Sequence, residues 1–508
     1  MRLWGYQRLA VAMLALVVGI AIVDRYHVGV FHDDAMYVIL SKAIASGQGY
    51  HYINLPDAPS ASHFPPAYPV VLAVLWKIAP AFPANLLLFK LLNAVLFALC
   101  AVLVTQLAFE RLGSTGVALA LGAVTAVSVP LLVLVTMVLS ETLFLVVLLS
   151  TLLLGERLAA AEGKPKRAVA AGVMVGLAML VRAHGVVLLV AMLIALGRRR
   201  RWRDAGLLAA GAAVLVLPWS IWSSLHASTL AAPLAGNYGS YAAWWLRGFH
   251  DMGLDMIPET LRRTTTEAGS MLAALFSPAR ASIAHAATLV FLATLGAAGA
   301  WSLRRRAEVT LWFLAGYVAI VLIWPFPPTR FVWGIWPLLL LLLTAGAYEA
   351  AVSPRWHRLA RVGTAGAFCW LAIGYAGYEL RGAKGKWWSS ISRVADRRIT
   401  AAIAWTAANT QPSDIVAADD EGAVFLYTGR HTVPVASFTT DHYLKVRTAQ
   451  TEALEGLEPL LAAYPLRAVV VGSRPTYEAA LYLASLPKPL LAPRDTFAEG
   501  AAFMVLTR

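Results

Sequence analysis

Up to about residue 380, apolar residues gather into long unbroken stretches separated by short basic loops; beyond it the stretches become short and evenly mixed with charge. A stretch approaching 20 apolar residues crosses a bilayer as a helix, because only a helix satisfies every backbone group within hydrocarbon. Eleven stretches qualify if the shorter ones reach into the interface: 9–24, 85–108, 117–134, 139–154, 168–181, 185–197, 205–224, 281–302, 309–324, 331–350 and 362–380. The first has the charge and core of a secretory leader but meets Asp24 and Arg25 with no small-residue cleavage site, so it reads as a retained membrane helix. Residues 66–78 form a helix-like stretch too short to span and flanked by proline, expected to lie along the outer interface. In the tail the apolar runs shrink to strand length at 415–418, 423–427 and 468–472, with helix-like stretches at 393–408 and 449–463. The expected fold is therefore an α-helical polytopic membrane protein of about eleven transmembrane helices (residues 1–380), followed by a small extracytoplasmic α/β domain (381–508).

Composition agrees with that pattern. The chain is 59% hydrophobic and 14% charged, whereas soluble domains run about 45–50% apolar and about 25% charged. The net charge of +14 would suggest nucleic acid in a soluble protein, but its placement says otherwise. With the N-terminus inside, the inner segments hold 18 Lys and Arg, and the longer outer loops hold 9. Basic loops stay cytoplasmic, so the charge is an orientation signal, and the tail falls outside. Nucleic acid is not an expected partner; membrane lipids are. Two outer loops are long, 25–84 and 225–280. Cys100 and Cys369 lie in apolar runs, which leaves no disulfide framework and no cysteine-based zinc site.

Ionisable groups at membrane level are costly, so their positions carry information. Here they gather at the outer ends of the spans: Asp33 and Asp34 after the first helix, Glu141 at the start of the fourth, Arg182 and His184 between the fifth and sixth, and Arg330 at the start of the tenth. Such a set suits glycosyl transfer from a lipid phosphate. A carboxylate takes the proton of an attacking hydroxyl, and arginines hold the departing phosphate through paired charge-assisted bonds. A second carboxylate, Asp34 or Glu141, could hold a divalent metal on that phosphate. Trp244 and Trp245, in the second long loop, could stack on sugar. Each residue also has a plainer reading. The paired acids could be a solvated loop, Glu141 a helix cap beside Ser140, the arginines headgroup anchors, His63 and His184 packing groups, and the tryptophans, Trp324 among them, an interfacial belt.

Several strings resemble the GT-C glycosyltransferases of the protein O-mannosyltransferase and aminoarabinose (lipid A) transferase type, family 39-like. They are Asp33-Asp34-x-x-Tyr37, the run ending GQGY at Tyr50, FPPAYPVVLAVLW at 64–76, LSETLF at 139–144, GVMVGLAMLVRAHG at 172–185, LPWSIW at 217–222 and TRFVWGIWPLLLLL at 329–342. The resemblance implies an inverting transferase that uses a polyprenyl-phosphate sugar and has its active site on the outer face; the acceptor is expected to be a hydroxyl, and the Ala-rich composition suggests a bacterial inner membrane. On matching positions Asp33 is the general base, Asp34 its partner, and Glu141 the second acidic landmark. Arg182, Arg330 and His184 meet the phosphate, and Tyr37, His63 and Tyr68 are expected near sugar or acceptor. Lipid A-modifying relatives carry Lys before the paired prolines, where this chain has Phe64, a departure that weakens a lipid A acceptor. The rival class is a secondary transporter or lipid flippase, in which charges sit at mid-membrane and halves repeat; neither is visible here.

Overall fold

The computed structural model describes residues 2–160, 165–226, 230–352, 357–437, 439–440, 444–497 and 499–506. Glu162, Lys164 and Arg355, which bear on the orientation count, lie outside the described residues. All eleven expected membrane stretches fall on helices, beginning with Arg2–Ile22, Leu86–Leu112 and Glu141–Ala160 and ending with Arg358–Gly385. Six of the described helices are long and apolar enough to cross a membrane on their own, and four apolar ones are shorter. The third expected span is broken: Thr115–Val127 and Val129–Thr136 meet at an angle of 49°. The cause is local, because Ser128 is extended (ψ 115°) and Pro130 starts the second helix without an N–H to give back. The Val129 N–H, left without a partner in its own helix, is capped by Glu379 Oε2 at 2.8 Å, and Ser128 Oγ lies 2.7 Å from Tyr375 Oη, so the last membrane helix seals the break.

Small residues set the tightest helix pairs. At Gly299 a Cβ would collide with the Leu342 carbonyl, and at Gly346 with that of Leu295. Ser282–Leu303 and Trp336–Val352 therefore touch backbone to backbone, the contact that drives association where lipid removes any hydrophobic gain. Gly346→Val should lower stability by at least the roughly 1–3 kcal/mol of an overpacked core. Thermal unfolding in detergent checks this; a variant that melts with the parent contradicts the close contact.

The short helix Ala67–Ile78 buries Tyr68, Leu72 and Trp76 and exposes Val70, Val74 and Ile78, the two-faced pattern expected at an interface. The second long loop is also helical, with Tyr241–Met252 and Met256–Phe276 as its main elements.

The tail holds a five-stranded mixed sheet: β1 (Ile415–Ala418), β2 (His431–Pro434), β3 (Leu466–Val471), β4 (Leu491–Phe497) and β5 (Gly500–Val505), in the order β2-β1-β3-β5-β4. β2, β1 and β3 run parallel, and β5 is antiparallel to both β3 and β4. Strand alternation sends Val416, Ala418, Ala468, Val470 and Ala502 to a core beneath helix Ser390–Asn409. The intervening Ala417, Val469, Val471, Ala501 and Phe503 join the core that runs on from the membrane helices. One sequence expectation is corrected: 423–427 is no strand but part of helix Glu421–Thr428. Parallel neighbours need a crossover, and this helix is it, started by Glu421 and stopped by Gly429 at φ 75°.

Candidate active site

Four chain segments meet at one end of the helix bundle. Asp33 opens helix Asp33–Ala45, and Glu141 opens Glu141–Ala160, so both carboxylates sit at the positive end of a helix dipole. Arg182 lies in the extended link between Pro165–Val181 and the turn Ala183–Gly185. Arg330 stands on the short helix Thr329–Trp333, which prolines 325, 327 and 328 set off from the preceding span. Its guanidinium bridges the two acids, donating from Nη2 to Asp33 Oδ2 and from Nε to Glu141 Oε1, each at 2.7 Å. Arg182 Nη1 lies 2.9 Å from Glu141 Oε2 and donates to Ser140 Oγ at 3.1 Å. The Phe31 ring packs 5.2 Å from the Arg330 guanidinium carbon and holds it in place.

The two acids differ in access. The Asp33 side chain is 28% exposed and that of Glu141 only 2%. Burial alone would raise the Asp33 pKa, but Arg330, with smaller help from His32 and Arg182, holds its carboxyl below the usual range. Asp33 is therefore an anion at neutral pH.

A cavity of about 200 Å³ opens on this cluster, lined by Asp33, Tyr37, Arg182 and His184 among charged and polar groups and by Phe64, Tyr241 and Trp324 among aromatics. Tyr37 Oη is 2.9 Å from Ser140 Oγ, which ties the first outer loop to the Glu141 turn. His184 packs among Tyr317, Trp324 and Phe331, and its Nε2 is buried without a partner among the described residues.

The remaining predicted site residues lie around the cavity without lining it. Asp34 is turned away: it is 1% exposed, and its carboxylate accepts backbone N–H bonds from Gly29 (2.8 Å), Val30 (3.2 Å) and Phe31 (3.0 Å). Its geometry is that of a clamp on the turn before the helix. Tyr68 is fully buried behind Tyr37, donating to Asn93 Oδ1 at 3.2 Å. His63 donates from Nδ1 to the Gly239 carbonyl at 2.5 Å and joins the two long outer loops; burial pulls its pKa down. Trp244 is buried against Trp324 and Phe326, and Trp245 leans on Trp324, so both brace the aromatic wall from behind.

The donor set does not suit a divalent cation. Arg330 bridges Asp33 and Glu141, Asp34 is spent on backbone, and among the described residues no group of three or more His, Cys, Asp or Glu is placed to hold a metal ion.

Residues 63–222 match the family model described as dolichyl-phosphate-mannose-protein mannosyltransferase. No curated protein matches the chain in sequence. Among solved structures, ArnT from Cupriavidus metallidurans bound to undecaprenyl phosphate superposes with a TM-score of 0.57 at 14% identity, covering 97% of each chain. The chain has the GT-C glycosyltransferase fold. ArnT in the apo state gives a TM-score of 0.56 at 13% identity over the same 97% of each chain. A second GT-C protein, the oligosaccharyltransferase AglB from Archaeoglobus fulgidus in complex with an inhibitory peptide and a dolichol-phosphate, gives 0.53 at 14% identity, covering 92% of this chain and 69% of its own. The chain is thus a multi-pass membrane protein whose family match and GT-C neighbours are glycosyltransferases.

Sequence reasoning missed Tyr241 altogether and gave Trp324 only a place in an interfacial belt. Trp324 follows a buried span and precedes Pro325, a position that stops the helix and turns the indole over the charged cluster, a signal that was available.

Proposed function

We propose that the protein is an inverting glycosyltransferase that moves a hexose or pentose from a polyprenyl-phosphate donor to a hydroxyl of a protein, lipid or polysaccharide. The observation that carries this reading is the Arg330 bridge between the buried Glu141 and the more accessible Asp33, which lines one cavity together with Arg182. In the resting site, two guanidiniums are satisfied by two acids. A donor phosphate competes for the same N–H groups, since guanidinium binds phosphate in the same paired way. As Arg330 turns to the phosphate, Asp33 is relieved of its strongest counter-charge and gains basicity. It then takes the acceptor's hydroxyl proton while the acceptor oxygen bonds to the anomeric carbon, and the carbon–oxygen bond to the phosphate breaks on the opposite face. The negative charge released on the polyprenyl phosphate falls on Arg182 and Arg330. Glu141, buried and paired with both arginines, keeps them aimed at the cavity.

The site end of the bundle is read as the outer side of a bacterial inner membrane, with the N-terminus inside. Support comes from the other end of the helices, where Arg157 pairs with Glu110, Arg111 donates to the Arg306 carbonyl, and Arg198 and Arg199 pair with Glu308. A cavity of about 200 Å³ is small for a whole ligand. It fits the reacting head of a lipid whose chain stays among the helices. Charges at helix ends, with none of these four at mid-span, favour transfer over transport. Incubating membranes that carry the protein with polyprenyl-phosphate sugars, followed by mass spectrometry of lipid, glycan and protein fractions, should show a new glycosylated product. Sugar lipid that only changes leaflet, with no product, would favour the flippase instead.

A further inference from the structure

Among the tail residues packed against the outer loops, Glu421 stands beside the site. Glu421 opens helix Glu421–Thr428, and its carboxylate, 3% exposed, lies 3.0 Å from His32 Nδ1. Oε1 of the same carboxylate accepts from Tyr238 Oη at 3.0 Å, and Tyr238 Oη accepts in turn from Asn54 Nδ2 at 2.9 Å. One tail carboxylate therefore gathers the residue before Asp33 and both long outer loops. There is no slack in this joint: a Cβ on Gly422 would stand 2.6 Å from Met36 Cε and 2.7 Å from Ala35 Cβ, and one on Gly29 would stand 2.8 Å from Ala423 Cβ.

His32 occupies an unusual backbone position. Its φ is 61°, a region that non-glycine residues seldom enter. The turn before it is fixed by the Asp34 clamp, and the helix after it begins with Met36 N–H on the His32 carbonyl at 3.0 Å. His32 is thus the single joint that decides where Asp33 leaves the chain. Its Nε2 is buried and bonds to nothing among the described residues, so Glu421 is the hydrogen-bond partner that fixes a ring packed edge-on to Tyr238.

We infer that Glu421 and His32 form a positioning pair, through which the tail holds Asp33 in its working place against Arg330 and the cavity. This rests on the transferase reading and deepens it: the tail is a working part of the active site. Neither residue touches the reacting atoms.

The test uses the full-length protein in membranes, with a polyprenyl-phosphate sugar as donor, and measures kcat and KM together with binding of undecaprenyl phosphate. Glu421→Gln keeps size and the Tyr238 contact but loses the charge; kcat should fall about tenfold with KM for donor and undecaprenyl phosphate binding within about twofold of wild type. His32→Asn keeps a donor at the Nδ1 position and tolerates positive φ, so it should stay within about threefold of wild type. His32→Gln moves the donor out of reach and should match Glu421→Gln. The double variant Glu421→Gln/His32→Gln should be no worse than either single one, as for two halves of one interaction. Full activity in Glu421→Gln, additive losses in the double variant, or equal losses in His32→Asn and His32→Gln each overturn the pairing. A Glu421→Gln variant that loses kcat and donor binding together points to general misfolding and overturns it as well. If the wild type itself transfers no sugar from any such donor, the transferase reading fails and takes the pair with it. If wild type transfers and Glu421→Gln equals it, only the pair fails.

Discussion

Asp33→Asn should abolish measurable transfer, a loss of about 10²- to 10⁴-fold, the range general base catalysis supplies. The substitution keeps shape and leaves Arg330 with Glu141 as its partner, so folding should be unaffected. A second outcome separates this from simple damage. In the resting protein Asp33 holds Arg330 at 2.7 Å, and on the proposed mechanism a donor phosphate must compete with it for that guanidinium. Removing the Asp33 charge ends that competition, and undecaprenyl phosphate should bind as well as, or up to about tenfold more tightly than, it does to wild type. Dead turnover with retained or tighter lipid is a pattern that a collapsed site cannot give. Turnover within twofold of wild type would remove Asp33 from the base role.

Arg330→Met should be more damaging in kind, because it strikes chemistry and structure together. The variant loses the leaving-phosphate contact, expected at about 10²- to 10³-fold in kcat. It also leaves Glu141, 2% exposed, with Arg182 alone, and Asp33 with no guanidinium at hydrogen-bond distance. Breaking a buried pair by removing one partner costs up to about 3–5 kcal/mol, so the melting temperature in detergent should drop as well. Arg330→Lys separates the two effects. An ammonium supplies the charge but cannot fork between Asp33 and Glu141 as a planar guanidinium does. Lys should recover most of the stability and little of the turnover. If Lys restores both, the bridge geometry is not what the reaction uses.

The membrane helices were legible in the sequence because hydrocarbon allows few ways to hide a backbone, and each long apolar run had one solution. The gathering of Asp33, Glu141, Arg182 and Arg330 was legible for a related reason, as charges at the ends of membrane helices where charge is costly. The turning of Asp34 away from the cavity and onto backbone N–H groups was not. Neighbours on a helix point about 100° apart, so only one of the two can face the cavity, and which one depends on the left-handed joint at His32. The Phe31 and Tyr241 contacts, and Glu421 across nearly 400 residues of chain, follow from tertiary docking that leaves no local pattern. The run 423–427 misled because its apolar residues pack on two sides of a short crossover helix, which resembles a buried strand in composition.

The chain of ion pairs Asp33–Arg330–Glu141–Arg182 has a consequence for life inside a bilayer. Phospholipid headgroups surround such a protein at enormous local concentration, and every one carries a phosphate. A bare arginine pair at the membrane surface would be filled by them permanently. Here the pair is already neutralised from within, so a phosphate gains a foothold only by outbidding carboxylates fixed at 2.7 Å. A common headgroup would bring no further contact with which to do so, whereas the proposed donor would bring a sugar to the aromatic wall of Tyr241 and Trp324. On the proposed function, the internal ion pairs would thus act as a filter against the lipid solvent that surrounds the protein.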